Sequence, residues 1–390
     1  MIKTVILDKA DRLYHFPLDI EDYFPKRLTR TDDKKQSLID VGHFKWPVPM
    51  AENPLDFQQL APATEEDLGA LRKSIAAWLL STYDLKVDPR REIYIGQGIH
   101  RIIFDICLAY VEYGDIVLCP EPGIPFYKRL VISVGGVPVT YPISERTDYK
   151  PSFRRLTSKL GSAAKILIMN NPHNPLGTVL DDTDLNELIR IASRENMFII
   201  NDAAYSSLAE EKYVPLISVR GSRKVGLEIF SLPFSLGLSY LPFGFAVGAA
   251  EIINGLKTIG NSIGLYLPKY WIESACRAID HFPGDNLKKL RRDINQSRME
   301  ARRLAEKSGW EIISGNSAPF IWSAIPGYKQ SAAYAAALLR RKRILVLSGN
   351  AFGETGEGYI RLSLTASAEN YKEAIDRVSR KLTLRRKAKE

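Results

Sequence analysis

Asn170-Asn171-Pro172-His173-Asn174-Pro175-Leu176-Gly177 follows directly on the apolar run Ile166–Met169. Two Asn-Pro steps and a glycine hold this stretch out of helix, because the proline ring disfavours the α region for the residue before it. A short apolar run closed by such a loop reads as a buried strand that delivers polar groups at its carboxyl end. The same unit recurs on either side. Ile93–Ile95, Ile116–Cys119, Val137–Tyr141, Phe198–Asn201 and Phe245–Val247 read as short buried strands. Ile99–Val111, Phe126–Val134 and Asp182–Glu195 read as helices between them. Strands alternating with helices predict a mainly parallel sheet covered on both faces. Ligands in such sheets lie at the carboxyl ends of the strands, so the loops just after the strands are where chemistry is expected.

Further along, Pro268 to Arg303 is helical and charged. After it come strands at Trp310–Ile313, Phe320–Ala324, Ile344–Leu347 and Tyr359–Leu364, a helix near Ala332–Arg341, and a last helix from Glu369. This is a strand-helix layer of its own and reads as a smaller C-terminal domain. The expected division is residues 1–40 as an N-terminal arm and start of the small domain, 41–265 as the large α/β domain, and 266–390 as the small α+β domain. No internal repeat or low-complexity segment interrupts it.

The 390 residues are 45% hydrophobic and 25% charged, which suits a soluble chain long enough for two cores. No run of about 18 uncharged apolar residues predicts a membrane span. Lys3, Asp8, Lys9, Asp11 and Arg12 break any signal-peptide pattern, so the cytoplasm is the expected location and no membrane partner is expected. Cys107, Cys119 and Cys276 form no CxxC pair and no metal cluster, so no metal is expected and reduced thiols are. The net charge of +9 comes largely from runs such as Lys288-Lys289-Leu290-Arg291-Arg292, Arg340-Arg341-Lys342-Arg343 and Arg385-Arg386-Lys387-Ala388-Lys389. Solvated helix faces and a charged tail explain them. No helix-turn-helix, zinc knuckle or aromatic-basic motif supports a nucleic-acid partner.

Three loops after predicted strands carry polar groups. Asn174 offers an amide with both donor and acceptor. Asn201-Asp202-Ala203-Ala204-Tyr205 places a carboxylate at a strand end, with a phenol three residues on. Glu357-Gly358-Tyr359-Ile360-Arg361-Leu362-Ser363 sets one arginine in an apolar strand, where it wants a carboxylate partner. Each has a plainer reading alone: a turn, a helix cap, a structural ion pair.

In this order the three segments resemble the class I/II, fold-type I pyridoxal-phosphate aminotransferases, nearest the diaminopimelate and the aromatic/aspartate branches. Val87-Asp88-Pro89 through Gly135-Gly136, Ala318-Pro319-Phe320-Ile321-Trp322 and Gly349-Asn350-Ala351-Phe352-Gly353 extend the resemblance over most of the chain. It implies the fold-type I architecture, a large three-layer α/β/α domain with a smaller α+β domain, and a homodimer. It implies that Asn174 and Tyr205 approach the phenolic oxygen of pyridoxal 5'-phosphate and that Asp202 pairs with its ring nitrogen. Gly98, Ile99 and Ser231 fall on the family's other cofactor positions. Gly42, Asn174 and Arg361 fall on its substrate positions, with Arg361 gripping a small amino or keto acid by its carboxylate.

The lysine segment departs from the pattern. The family reads serine-x-serine-lysine, then an arginine, then a glycine-rich strand. Here Ser231-Leu232-Pro233-Phe234 leads without a gap to Gly244–Gly248, so the lysine position is Phe234, the second serine is Pro233 and the arginine is Pro242. Phenylalanine has no amine, so no Schiff base is expected, and loss of a positioned general base alone costs roughly 10²–10⁴ in rate. The ring-stacking aromatic is Ile124, the hydroxyl after Gly98 is lost at Ile99, and Phe44 crowds the substrate side. The backbone amides at the helix start still suit an anion, and His100 or Arg101 could add charge. The expectation is a degenerate or repurposed transaminase that binds a small amino or keto acid, with pyridoxal phosphate held, if at all, without a covalent bond. Two alternatives stay open. One is a true aminotransferase using a lysine from elsewhere, Lys269 before Lys224 or Lys257. The other is a non-catalytic regulatory or nucleic-acid-associated protein, for which the residues before Asp40 are too few to form a DNA-binding module.

Overall fold

The computed structural model describes residues 38–42, 61–152, 163–237, 243–264, 267–281, 284–313 and 315–379. Phe44, Pro242, the first 37 residues and the basic tail at 385–389 lie outside the described residues.

Seven short strands make the large sheet: β2 (Ile93–Gly96), β3 (Ile116–Glu121), β4 (Val137–Pro142), β5 (Ala164–Asn170), β6 (Phe198–Asp202), β7 (Gly226–Ser231) and β8 (Gly244–Val247). Their spatial order is β2-β8-β7-β6-β5-β3-β4. β7, β6, β5, β3 and β4 run parallel, while β8 is antiparallel to both of its neighbours. Alternate side chains leave the sheet on opposite faces, and both faces are covered. Ile166, Ile168, Ile200, Leu227 and Ile229 pack with Ile102, Ile106, Val131 and Ile253, from the helices Gly98–Tyr110, Phe126–Ser133 and Ala250–Ser262. On the other face Leu167, Met169 and Ile199 meet Leu185 and Leu188 of the helix Asp182–Glu195. Phe230, Phe245 and Ile93 meet Leu71, Ile75 and Trp78 of the helix Glu65–Tyr83 on that side. Three layers follow, as the strand-helix alternation requires.

The helix ends are written in the sequence. Thr64 and Asp67 form a capping box at the start of Glu65–Tyr83, and Asp84 closes it in the left-handed conformation. Asp181 and Asp184 do the same for Asp182–Glu195, with Asn196 at its end.

The C-terminal layer is a four-stranded antiparallel sheet in the order β12-β13-β10-β9, with β9 Glu311–Ile312, β10 Phe320–Ala324, β12 Leu347–Ser348 and β13 Tyr359–Ser363. β1 (Ile39–Asp40) pairs with β11 (Ile344–Leu345), which ties the chain's early residues to this layer. The long helix Asp285–Ser308 packs along Ala368–Ser379, and both cover the apolar cluster of Leu290, Ile294, Leu304, Phe320 and Leu362.

Three expectations shift. Ile344–Leu347, read as one strand, is two, because the chain passes at Val346 from the β1 partner into the antiparallel sheet. Trp310–Ile313 shortens to Glu311–Ile312. β7 is a strand that the sequence pattern does not predict, since Glu228 interrupts its apolar run; the carboxyl is buried and accepts bonds from the Tyr213 hydroxyl, Asn201 Nδ2 and Ile217 N. The basic runs at 288–292 lie partly in surface ion pairs, Lys289 with Asp293 at 2.7 Å. Among the described residues no helix is long and apolar enough to cross a membrane, no three potential ligands gather for a metal, and all three cysteines are free.

Candidate functional site

β5, β6 and β7 end side by side, with Asn170 opposite Asp202 and the ladder carried on to β7. The Asn-Pro loop folds back on these ends. Asn170 Nδ2 donates to the Asp202 carbonyl at 2.8 Å, and Asn170 Oδ1 accepts from the Asn174 amide at 2.7 Å. Asn171 Oδ1 accepts from Leu180 N at 3.0 Å and fixes the far side of the loop. Asn174 is thereby pinned by its backbone with its side chain directed inward.

Asp202 is buried, and its two oxygens accept from different donors. Oδ2 takes the Tyr127 hydroxyl at 2.7 Å and Oδ1 takes the Ala204 N–H at 3.0 Å. Among the described residues no cation joins them. Burial therefore pushes the carboxyl up to about 6, against the two donors, which favour its charged form. Tyr127 itself is buried at the start of Phe126–Ser133, and burial with Asp202 beside it raises its phenol well above the ordinary range.

Asn174 links two further groups. Its Nδ2 donates to the Tyr205 oxygen at 3.3 Å, and its Oδ1 accepts from Arg361 Nη1 at 3.3 Å. Arg361 Nη2 reaches the Gly42 carbonyl at 3.3 Å. The guanidinium lies 4.1 Å over the Phe320 ring and 5.2 Å from that of Phe352. Burial raises the Tyr205 phenol and the charge of Asp202 adds to this, while Arg361 and Asn174 act the other way. Gly42, Asn174, Asp202, Tyr205 and Arg361, chosen from four separate sequence segments, thus form one connected cluster around Asn174 or beside it.

Phe234 sits in the short helix Leu232–Leu236 directly after β7. Its ring meets Tyr205 edge-on at 5.0 Å, and Tyr205 meets Phe320 edge-on at 5.5 Å. Ser231 ends β7, paired with Gly244. Gly98, with φ +83, opens the helix Gly98–Tyr110, whose cap residue Gln97 makes no side-chain cap bond. Ile99 packs between the apolar cluster of the C-terminal layer and that of the large sheet, and Ile124 packs on the latter. His100 stacks on Phe126 with ring centroids 3.6 Å apart. Arg101 Nε is engaged by the buried Asp105 at 2.7 Å, which also accepts from the Tyr94 hydroxyl at 2.8 Å.

The lysines considered as substitutes are held elsewhere. Lys269 opens its own helix, is 46% exposed and pairs with Asp67 at 3.3 Å. Lys257 donates to the Arg90 carbonyl at 2.6 Å, and Lys224 ends the turn Ser222–Lys224. None is a partner of Asp202, Asn174 or Tyr205. Tyr127 carries no motif of its own in the sequence, although it stands just after the β3 end, where ligands of such sheets lie. Phe320 and Phe352 are equally silent in the sequence, because their ring contacts with Arg361 join positions from three separate segments.

The residues present fit the ring of a pyridoxal group: a buried carboxyl with no cation beside it among the described residues, and an amide and a phenol facing together. They offer no amine at residue 234 and no hydroxyl at residue 99.

A profile of aminotransferase class I and II matches residues 41–378. The LL-diaminopimelate aminotransferase of Halothermothrix orenii is 28% identical over 382 residues, 95% of this chain and 98% of that protein. The one from Aquifex aeolicus is 30% identical over 311 residues, 79% of this chain and 80% of that protein. Among solved structures, N-succinyldiaminopimelate aminotransferase from Mycobacterium tuberculosis superposes with a TM-score of 0.82 at 21% identity, covering 95% of this chain and 99% of that one. The aromatic aminotransferase of Pyrococcus horikoshii superposes at 0.80 with 23% identity, covering 87% and 94%.

Proposed function

The chain belongs to the class I and II aminotransferase family, and on that basis we propose that it is a repurposed member, one that binds a small amino or keto acid without a covalent link between protein and pyridoxal phosphate. The observation that carries the reading is Phe234. Its ring stands edge-on to Tyr205, which Asn174 joins to Arg361, at the position where the resemblance calls for an amine.

Pyridoxal phosphate, when bound, supplies a protonated ring that draws electrons from a neighbouring carbon. Asp202 would hold the proton on the ring nitrogen, Asn174 and Tyr205 would meet the phenolic oxygen, and the amides after Gly98 would receive the phosphate. Arg361 and Asn174 would orient the carboxylate of the acid, a task suited to a planar guanidinium. A hydrocarbon ring cannot accept or return a proton, so the acid-base work of ordinary transamination has no agent at residue 234. Binding, recognition or a reaction that needs no lysine is what the cluster supports. A homodimer, a cytoplasmic location and the division at residues 40 and 265 belong to the same proposal.

The test is a titration of the purified protein with pyridoxal phosphate, followed by absorption and by intact mass after borohydride reduction. The expected result is ring absorption that desalting removes and an unchanged protein mass. A reduced adduct on any lysine would overturn the proposal. It would favour the rival, an aminotransferase with its lysine elsewhere, and peptide mapping would say whether that lysine is Lys269.

A further inference from the structure

We propose that this chain carries a second ligand site, which shares no residue with the Asp202 cluster and takes a small inorganic oxyanion of the size of phosphate. It is a cavity of about 100 Å³ between the first turns of the helix Glu65–Tyr83, β2 and the last turns of the helix Ala250–Ser262. Leu68, Ile95 and Leu267 give it apolar walls, and Arg72, Lys257 and Glu65 are the charged groups that line it. Arg72 is only 5% exposed. Its Nη2 pairs with Glu65, whose side chain is 78% exposed. Its Nε is buried and has no hydrogen-bond partner among the described residues. The Lys257 ammonium donates to the Arg90 carbonyl at 2.6 Å, and burial, with the Arg72 charge beside it, holds that ammonium below the usual lysine range. The Tyr94 hydroxyl, also in the lining, is committed to the Asp105 carboxylate at 2.8 Å.

Two cations against one carboxylate leave a positive charge over in this lining. A charge taken out of water is costly unless close partners offset it, and an ion pair through a solvent-facing carboxylate offsets little. The buried guanidinium is therefore short of an acceptor. Its planar fork matches the oxygens of an oxyanion, and the ammonium beside it adds a point charge. The volume sets the size of the guest. It is far below the roughly 300–1,000 Å³ of clefts that take larger organic ligands, so the ion enters alone rather than as the end of a sugar or nucleotide. Bound there, it joins the helices Glu65–Tyr83 and Ala250–Ser262, which cover opposite faces of the large sheet, across the edge strand β2.

Calorimetric titration of the full-length protein with sodium phosphate, without pyridoxal phosphate and at low chloride, tests this. Wild type should bind phosphate saturably, and Arg72→Met should weaken that binding at least about tenfold, the loss expected for charge-assisted hydrogen bonds. Lys257→Met should weaken it at least about threefold, and it carries the test if Arg72→Met fails to fold, as judged by circular dichroism. Phosphate taken up at the amides after Gly98 would be indifferent to both substitutions. Glycerol 3-phosphate, the same group on a larger body, should bind more weakly than phosphate. No saturable phosphate binding, equal affinity in wild type and in every folded variant, or glycerol 3-phosphate bound as tightly as phosphate would overturn the proposal. None of these outcomes bears on the borohydride adduct, so this proposal and the reading of Phe234 stand or fall separately.

Discussion

Replacing Tyr127 by phenylalanine should destabilise the protein by an amount that grows with pH. Asp202 is buried, and its carboxyl sits at about 6 in the folded chain against 3.8 for an ordinary aspartate. Its folded value is the higher one, so its contribution to stability is complete below 3.8 and is lost as pH rises through about 6. That loss is about 3 kcal/mol, from the energy of 1.36 kcal/mol for each tenfold change in proton affinity. It would be larger without Tyr127, whose hydroxyl donates to Oδ2 at 2.7 Å and favours the charged form. A hydrogen bond to a neutral acid is worth about 1 kcal/mol and one to a carboxylate about 1.5–3 kcal/mol. Tyr127→Phe should therefore cost about 1 kcal/mol at pH 5, where Asp202 is protonated, and about 1.5–3 kcal/mol at pH 8.5, where it is charged. The phenol stays protonated across this range, because burial raises it well above its ordinary value. Urea denaturation of both proteins at the two pH values measures the difference, and pH effects from distant groups cancel between variant and wild type. A penalty that is equal at both values, or larger at pH 5, would refute the placement of the Tyr127 hydroxyl on a buried, charge-poor Asp202.

Glu228→Gln should act oppositely with pH. Burial pushes this carboxyl up to about 7 from 4.5, so wild type loses about 3 kcal/mol as pH rises across that interval and the neutral amide does not; urea midpoints of the variant should improve relative to wild type between pH 5 and 8.5, and a constant difference would count against the buried carboxyl. Lys269→Ala should leave ligand binding and the thermal midpoint nearly unchanged, because the lysine of its pair with Asp67 is 46% exposed to solvent; loss of pyridoxal phosphate binding, read by absorption, would restore Lys269 as the missing amine. Gly353→Ala should lower stability by about 1–3 kcal/mol in urea denaturation, since φ there is +112 and an added Cβ would stand 2.6 Å from the Glu121 side chain; an unchanged midpoint would mean that this loop sits more loosely against β3.

Much of the fold was legible because its signals are local. Buried parallel strands are short apolar runs, and the Asn-Pro steps mark where β5 ends; the helix Glu65–Tyr83, capped by Thr64, was not among the helices read from the sequence. β7 was hidden because Glu228 looks like a surface residue until Tyr213, Asn201 and Ile217 are seen around it. Val346 was hidden as a break because an apolar run does not reveal that its two halves pair with different sheets.

The sequence by itself determined the alternation of strands with helices, the family resemblance, and which residue types stand in the loops after the strands, including phenylalanine at 234. Only the tertiary structure decided that Asn174 joins Tyr205 to Arg361, that Tyr127 holds Asp202, and that Phe234 ends a series of rings running back to the arginine. Local pattern follows from backbone geometry within a few residues. These contacts join residues far apart in the chain, Asn174 and Arg361 among them, and exist only because the large sheet aligns its strand ends and the C-terminal layer lays β13 and Phe320 beside them.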